Sequence, residues 1–163
     1  MTAPVPQVTA LSRKWAGDIN VGTVLVPDWV TVKGINTFKY DPHAASMEED
    51  NAFDQNGRLG KTKTALSSSA ELKMLRRYAA DDPTEYDPGQ EALRTRAGLL
   101  GSDGWAHMRI YDRNGGPEAY EDYFEVGWAA DGGGTTDLES VTVTLESKGS
   151  TTEIVNPIDS SGS

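Results

Sequence analysis

The groups able to do chemistry in this chain are few. His43 and His107 are the only histidines, and there is no cysteine, so thiolate nucleophiles, thiolate metal sites and disulfides are excluded. No local pattern ties either histidine to a nucleophile or to metal ligands. His107 shares a face of an expected strand with Trp105, Arg109 and Tyr111, which fits a hydrogen-bonded surface or interface histidine better than a catalytic one. The stretch MEEDNAFDQNGRLG offers oxygens from Asp50, Asp54 and Asn56 for calcium. Counted from Asp50, however, the third position is Ala52, and the order of ligands in an EF-hand fails. DGGGTTD has neither the lysine nor the strand–loop–helix setting of a phosphate cradle. Glu121 and Glu125 share a strand face, but a glycosidase needs such a pair across a cleft, and a wet charged face explains them as well. The expectation is a protein that is not an enzyme and has no catalytic residue, no metal site and no cofactor.

Charge and composition narrow the class further. The chain has 163 residues, 15 Lys+Arg against 25 Asp+Glu, and a formal charge of −10. From Asp112 onward there are eleven acids and two bases, Arg113 and Lys148, so the imbalance lies in the last third. Such a surface repels phosphate backbones, which argues against specific nucleic-acid binding. The opening MTAPVPQVTALSRKW has no continuous apolar run, so a signal peptide is not expected, and no apolar stretch approaches membrane-spanning length. The expectation is a soluble protein with no membrane partner. At this length one domain is expected, residues 1–157, followed by a frayed tail, 158–163.

The elements that must position these residues are mostly strands. Val141, Val143 and Leu145 alternate with Ser140, Thr142, Thr144 and Glu146, so a strand there has one buried and one wet face. Trp15, Gly17, Ile19 and Val21 alternate with Lys14, Ala16, Asp18 and Asn20. WVTVKGINTFKY reads as one strand with Val30, Val32, Phe38 and Tyr40 inward; LSSSAELKM reads as another with Leu66, Ala70, Leu72 and Met74 inward. A hairpin is expected near Trp105–Tyr111 and Tyr120–Trp128, turned by Asn114-Gly115-Gly116 at positive φ. One helix is expected at about 88–100. Asp87 is its N-cap, Pro88 opens the first turn, Gln90 closes a capping box and Gly101 ends it, with Leu93, Ala97 and Leu100 on one face. The acidic DDPTEYDPG reads as a loop feeding that helix, where negative charge is favourable. The fold class is therefore mainly β, a sandwich or barrel-like domain with one flanking helix. A polar connection of about twenty residues, Asp41–Gly60, separates the second and third strands and reads either as an arm that orders on a partner or as plain disorder.

DPGQEAL at a helix start, the hairpin IYDRNGGPEAYEDYFEVGW and the ending DLESVTVTLESKGSTTEIVNP resemble the tail tube (major tail) proteins of long-tailed double-stranded DNA phages, especially those of actinobacteria. The resemblance runs from Trp15 to Pro157. It implies a β-sandwich that assembles into hexameric rings, stacked through the long loop. The stacking arm would then include Glu48, Glu49, Asp50, Phe53 and Asp54. Glu121, Glu125, Ser140, Thr142, Thr144 and Glu146 lie on polar strand faces available to line a lumen. The lysines Lys33, Lys39, Lys63 and Lys73 lie on polar faces of the same region and are available to pair with acids of a neighbouring subunit. The implied partners are further copies of the chain and tape-measure, tail-terminator and tail-tip proteins, with DNA passing through an acidic conduit without specific binding. The implied location is the virion tail, assembled in the host cytoplasm. Two other classes compete: a monomeric β-sandwich module binding carbohydrate or protein, with Trp105 and Tyr111 as its aromatics, and a small hydrolase using Glu121 or Glu125.

Overall fold

The computed structural model describes residues 4–149 and 151–158. Within them the chain forms β1 Trp15–Asn20, β2 Trp29–Thr31, β3 Ile35–Glu49, β4 Lys61–Leu75, β5 Tyr78–Ala79 and β6 Asp82–Tyr86. Then come α1 Pro88–Ala97, β7 Trp105–Asp112, β8 Ala119–Ala130, β9 Ser140–Ser147 and β10 Thr152–Glu153. One antiparallel sheet runs β2-β1-β7-β8-β9-β4-β3, with β10 added against the start of β8, while β5 and β6 form a separate hairpin. The sheet curls over on itself. Trp15 of β1 stacks on Phe38 of β3 at 6.1 Å and meets Tyr40 edge-on at 5.7 Å, although those strands are far apart in the sheet order. The expected sandwich or barrel-like β-domain with one helix is what forms.

Alternation builds the core. Leu72 pairs opposite Val143, and Met74 opposite Val141, all fully buried. Met108 and Ile110 of β7, Phe124 of β8 and Ile19 of β1 complete the inner face, and Leu93 of α1 joins the same cluster. Removing such side chains from water contributes on the order of 1.5–3 kcal/mol each.

Local signals set α1, with one change of partner. The Asp87 carboxylate accepts from the Gln90 N–H at 3.2 Å, and Pro88 stands at the start. The Gln90 side chain does not turn back to close a capping box. It is fully buried and donates to the carbonyls of Lys33 at 2.7 Å and Leu75 at 2.8 Å, because a buried amide without partners costs more than an open cap. The helix ends at Ala97 with Gly98 as cap, short of the expected Gly101, and Leu100 is exposed.

Several expected boundaries move. The segment expected to be one strand from Trp29 to Tyr40 breaks at Gly34, φ 83°, and its halves lie at opposite edges of the sheet. A Cβ on Gly34 would meet the Leu75 carbonyl at 2.5 Å and Gln90 Nε2 at 2.7 Å, so only glycine fits the crossing. Asp41–Gly60 is not a loop throughout: β3 continues to Glu49 and β4 begins at Lys61, leaving 50–60 as the tip of a paired hairpin. Leu66, expected inward, is exposed because it lies on this arm, and Val21, expected to continue the first strand, lies beyond the end of β1. The acidic segment before α1 is strand β6 rather than loop. Of Asn114-Gly115-Gly116, only Gly115 takes positive φ, at 84°. At the end, Asn156 donates through Nδ2 to the carbonyls of Asp112 and Gly116, both at 2.8 Å, pinning the NP ending to the β7–β8 turn. Of the expected tail, residues 159–163 lie outside the described residues.

Candidate functional site

The arm is a two-stranded ribbon that leaves the body at about Asp41. Glu49 pairs opposite Lys61, Glu48 opposite Thr62 and Met47 opposite Lys63, with register shifts at Asp41/Ala44 and Ser46/Met47 that add twist. At the tip Asp50 accepts from the Thr62 hydroxyl, and Asn51 Oδ1 accepts from the Gly60 N–H at 3.0 Å. Asn56 and Gly57 reverse the chain at φ 53° and 79°. Phe53 is fully exposed beside Asp54, and Met47, Leu59 and Leu66 are exposed as well. Glu48, Glu49, Asp50, Phe53 and Asp54 therefore sit together at the far end of the arm. That arrangement suits docking by shape and charge and has no reactive chemistry.

The polar face of the sheet is ordered in rows by the register. Asp41, Ser69, Glu146 and Glu125 stand side by side across β3, β4, β9 and β8. The next row holds Lys39, Glu71 and Thr144; the one after it holds Thr37, Lys73 and Thr142. Lys39 and Lys73 thus lie among these acids. Glu146 and Glu125 are direct cross-strand partners of like charge, a pairing that is unfavourable in itself. Lys148 at 3.4 Å and the Trp105 indole N–H at 2.9 Å offset it at Glu125. Ser140 and Thr142 donate their hydroxyls to Asp131, at 2.7 and 2.6 Å, and those bonds, Thr142 first, hold its carboxyl below the usual range. Glu125, Ser140, Thr142, Thr144 and Glu146 are brought to one face. Glu121 lies on the same face of β8 but four residues nearer its start, opposite Arg109 and in contact with His107 Nε2 at 2.5 Å.

Two clusters escaped sequence reasoning. On the β1–β2–β7 side, Asp18 is buried and accepts from Arg109 Nε at 2.8 Å, Thr31 Oγ1 at 2.9 Å and the Tyr111 hydroxyl at 3.1 Å. Burial, with Asp18 alongside, pushes the Tyr111 phenol up to about 12. Arg109 lies over the Trp29 ring at 4.6 Å, His107 stacks on Tyr123 at 4.5 Å, and Lys148 lies over Trp105 at 5.2 Å. Tyr111, expected as a platform aromatic, is buried with its hydroxyl turned onto Asp18. His107 is hydrogen-bonded, as its pattern implies, with Asn20 on its other nitrogen at 3.1 Å, but its side chain is largely buried between Trp29 and Tyr123. The second cluster centres on buried Asp122, which accepts from Ser68 at 3.0 Å and from Ser147 and Thr151. It ties β4, β8 and β9 to the start of β10. Its one sequence signal was polar residues at the inward positions of strands.

Among the described residues, no group of three or more His, Asp and Glu is placed to hold a metal ion, and no helix is long and apolar enough to cross a membrane.

No family model matches the sequence, and no curated protein matches it. Solved structures do match. The fold is similar to a chain in the virion of a native gene transfer agent particle, with TM-score 0.65 and 11% identity over 90% of this chain and 99% of that one. It is also similar to a chain in the tail of an empty gene transfer agent particle with C6 symmetry, TM-score 0.66 and 12% identity, again over 90% and 99%. A chain in the six-fold symmetrised baseplate of the anti-feeding prophage is similar at TM-score 0.55 and 13% identity, over 90% of this chain and 96% of that one. At these identities the likeness is one of fold, and it spans nearly the whole of each chain.

Proposed function

We propose that this chain is a structural virion protein that polymerises as stacked six-membered rings into a phage tail tube, of the kind found in long-tailed phages of actinobacteria. The observation that carries the reading is the fold match, over 90% of the chain, to a chain of a tail with C6 symmetry. The architecture supports it. β2 and β3 lie at the two edges of the sheet, where unpaired backbone groups favour addition of a neighbour's strand. The β3–β4 arm reaches beyond the body and presents Phe53 to a copy in the adjacent ring. In this reading the row Asp41, Ser69, Glu146 and Glu125 lines the lumen. Such a wall lacks the counterion release that makes basic grooves hold DNA, so DNA passes through without specific binding. The tube meets tape-measure, terminator and tail-tip proteins at its core and ends, is assembled in the host cytoplasm, catalyses no reaction and resides in the virion tail.

Negative-stain microscopy of the purified protein tests this directly. Hollow tubes or six-fold rings are the expected result. A protein that stays monomeric near 17.6 kDa at every concentration and salt tried points instead to a binding module and overturns the proposal.

A further inference from the structure

The two ends of β1 carry features that nothing in the isolated chain explains. After Asn20 the chain makes a tight tip, with Val21 N–H donating to the Asp28 carbonyl at 2.8 Å and Thr23 N–H to the Val26 carbonyl at 3.1 Å. The buried Asn20 side chain holds this tip from below: its Oδ1 accepts from the N–H groups of Gly22 and Asp28, and its Nδ2 donates to the Thr23 carbonyl. Gly22 is required, since a Cβ there would meet the Val26 carbonyl at 2.5 Å. Tight turns favour Gly, Pro, Asn, Asp and Ser at their centres. Here the centre is Val24 and Leu25, followed by Val26, all exposed, with Leu25 at 93%. A rigid turn that displays three large apolar side chains breaks the local rule with no gain inside the monomer.

At the start of β1 lies a groove of about 380 Å³ lined by Val8, Leu11, Arg13, Lys14 and Arg113. Val8 and Leu11 are exposed there. Arg113 is fixed against β1 by its N–H to the Lys14 carbonyl, 2.7 Å, and by Nη2 to the Trp15 carbonyl, 2.8 Å. Lys14 is balanced by Glu118 at 2.6 Å, which leaves Arg13 and Arg113 as the groove's positive charge. The opposite end of the sheet is acidic: Asp28 beside the tip, Asp103 before β7, and Asp131, Asp137 and Glu139 between β8 and β9.

We infer that the Val24–Val26 tip of one copy docks into the Val8–Lys14 groove of the next copy, head to tail. Tip and groove sit at the two ends of a single six-residue strand, about 20 Å apart at ~3.3 Å per residue, so neither serves the other within one chain. Copies in one orientation, stacked along that strand, bring apolar tip to apolar groove and the acids flanking the tip to Arg13 and Arg113. A contact between different patches on identical subunits propagates and does not close on a pair. Charge complementarity selects the order of the two ends. The β3–β4 arm leaves from the same end as the groove, so the two contacts act together between the same layers. This inference rests on the polymer proposed above and adds its second axial contact.

The absence of cysteine makes a direct test available. In Leu11→Cys/Leu25→Cys protein, the two sulfurs are too far apart to bridge within a chain, so any disulfide joins chains. Mild oxidation of assembled protein is expected to give a ladder of dimers, trimers and higher multiples on a non-reducing gel, with only dimers or none from either single variant. In parallel, Arg13→Glu is expected to raise the concentration needed for polymer roughly fivefold, and Asp28→Arg added to it to recover part of that loss. Tubes without a ladder, or a ladder that stops at dimers, overturns the head-to-tail contact and leaves the tube reading standing. A parent chain that forms no tubes, together with a double-cysteine variant that gives no ladder, removes both.

Discussion

Tyr111 donates its hydroxyl to the carboxylate of Asp18, 3.1 Å from each oxygen, across 93 residues of sequence. Arg109 reaches the same carboxylate at 2.8 Å, and the side chain of Asp18 is 4% exposed. The pair locks β1 onto β7 at the outer end of the sheet. Asp18→Ala leaves Arg109 and Tyr111 facing an empty site and is expected to lower the unfolding free energy by about 3–5 kcal/mol. Tyr111→Phe removes only one of several donors and is expected to cost about 0.5–1.5 kcal/mol. Urea unfolding followed by circular dichroism measures both, and equal losses would contradict the arrangement.

The same pair gives a pH dependence. Burial first, then Asp18, raises the Tyr111 phenol from 10 to about 12. A raised acid favours its protonated form in the fold, so its contribution is complete below pH 10 and is lost as pH rises from 10 to 12. The unfolding midpoint is expected to drop across that window, and Tyr111→Phe to make the drop shallower. A slope unchanged by the substitution counts against this account.

Gln90 supplies a second long-range lock, from α1 to the ends of β2 and β4. Gln90→Leu keeps the bulk and leaves the Lys33 and Leu75 carbonyls without the amide that joins them, an expected cost of about 1–3 kcal/mol. Thermal unfolding checks it; a variant as stable as the parent would show that water replaces the amide.

On β9 the two faces should separate cleanly. Leu145 is fully buried and Thr144 exposed, so Leu145→Ala is expected to cost about 2–5 kcal/mol and Thr144→Ala within about 0.5 kcal/mol. Comparable losses in denaturant titrations would mean the sheet face has been assigned the wrong way round.

For the arm, the paired register indicates where to cut. Ala44 lies opposite Ser67, so replacing residues 45–66 by Asn-Gly closes a short hairpin at the body. The shortened protein is expected to fold with parental stability and to form no tubes under the microscope. Normal tubes from it would remove the arm from the stacking contact.

For the polar face, Glu125→Lys/Glu146→Lys exchanges the acidic pair at the centre of the row for a basic one. Tubes of this variant are expected to retain added DNA at low salt and release it as salt rises, with screening over about 10 Å at 0.1 M, while parental tubes retain none. DNA decorating the outside of the variant tube would assign this face to the exterior.

The parts legible in the sequence are those whose cause is local. Val141, Val143 and Leu145 show period two because one face of β9 is buried, and Leu72 and Met74 do so for the same reason. Asp87 and Pro88 mark the start of α1 because a helix end needs its N–H groups capped within a few residues. The surplus of acids after Asp112 needs no structure at all. Tertiary structure decided whatever depends on partners distant in the chain. Residues 45–49 are a strand only because 61–66 pair with them; both faces stay wet there, so pairing and not burial holds them and no hydrophobic period records it. Gln90 looked like a local cap until two distant carbonyls claimed its amide. Glu125 and Glu146 become neighbours only through the β8–β9 register, and β2 and β3 are sent to opposite edges by one turn at Gly34. Side-chain alternation fixes which way a strand faces, whereas the choice of neighbouring strand is made by the packing of the whole core, and no short window of sequence contains it.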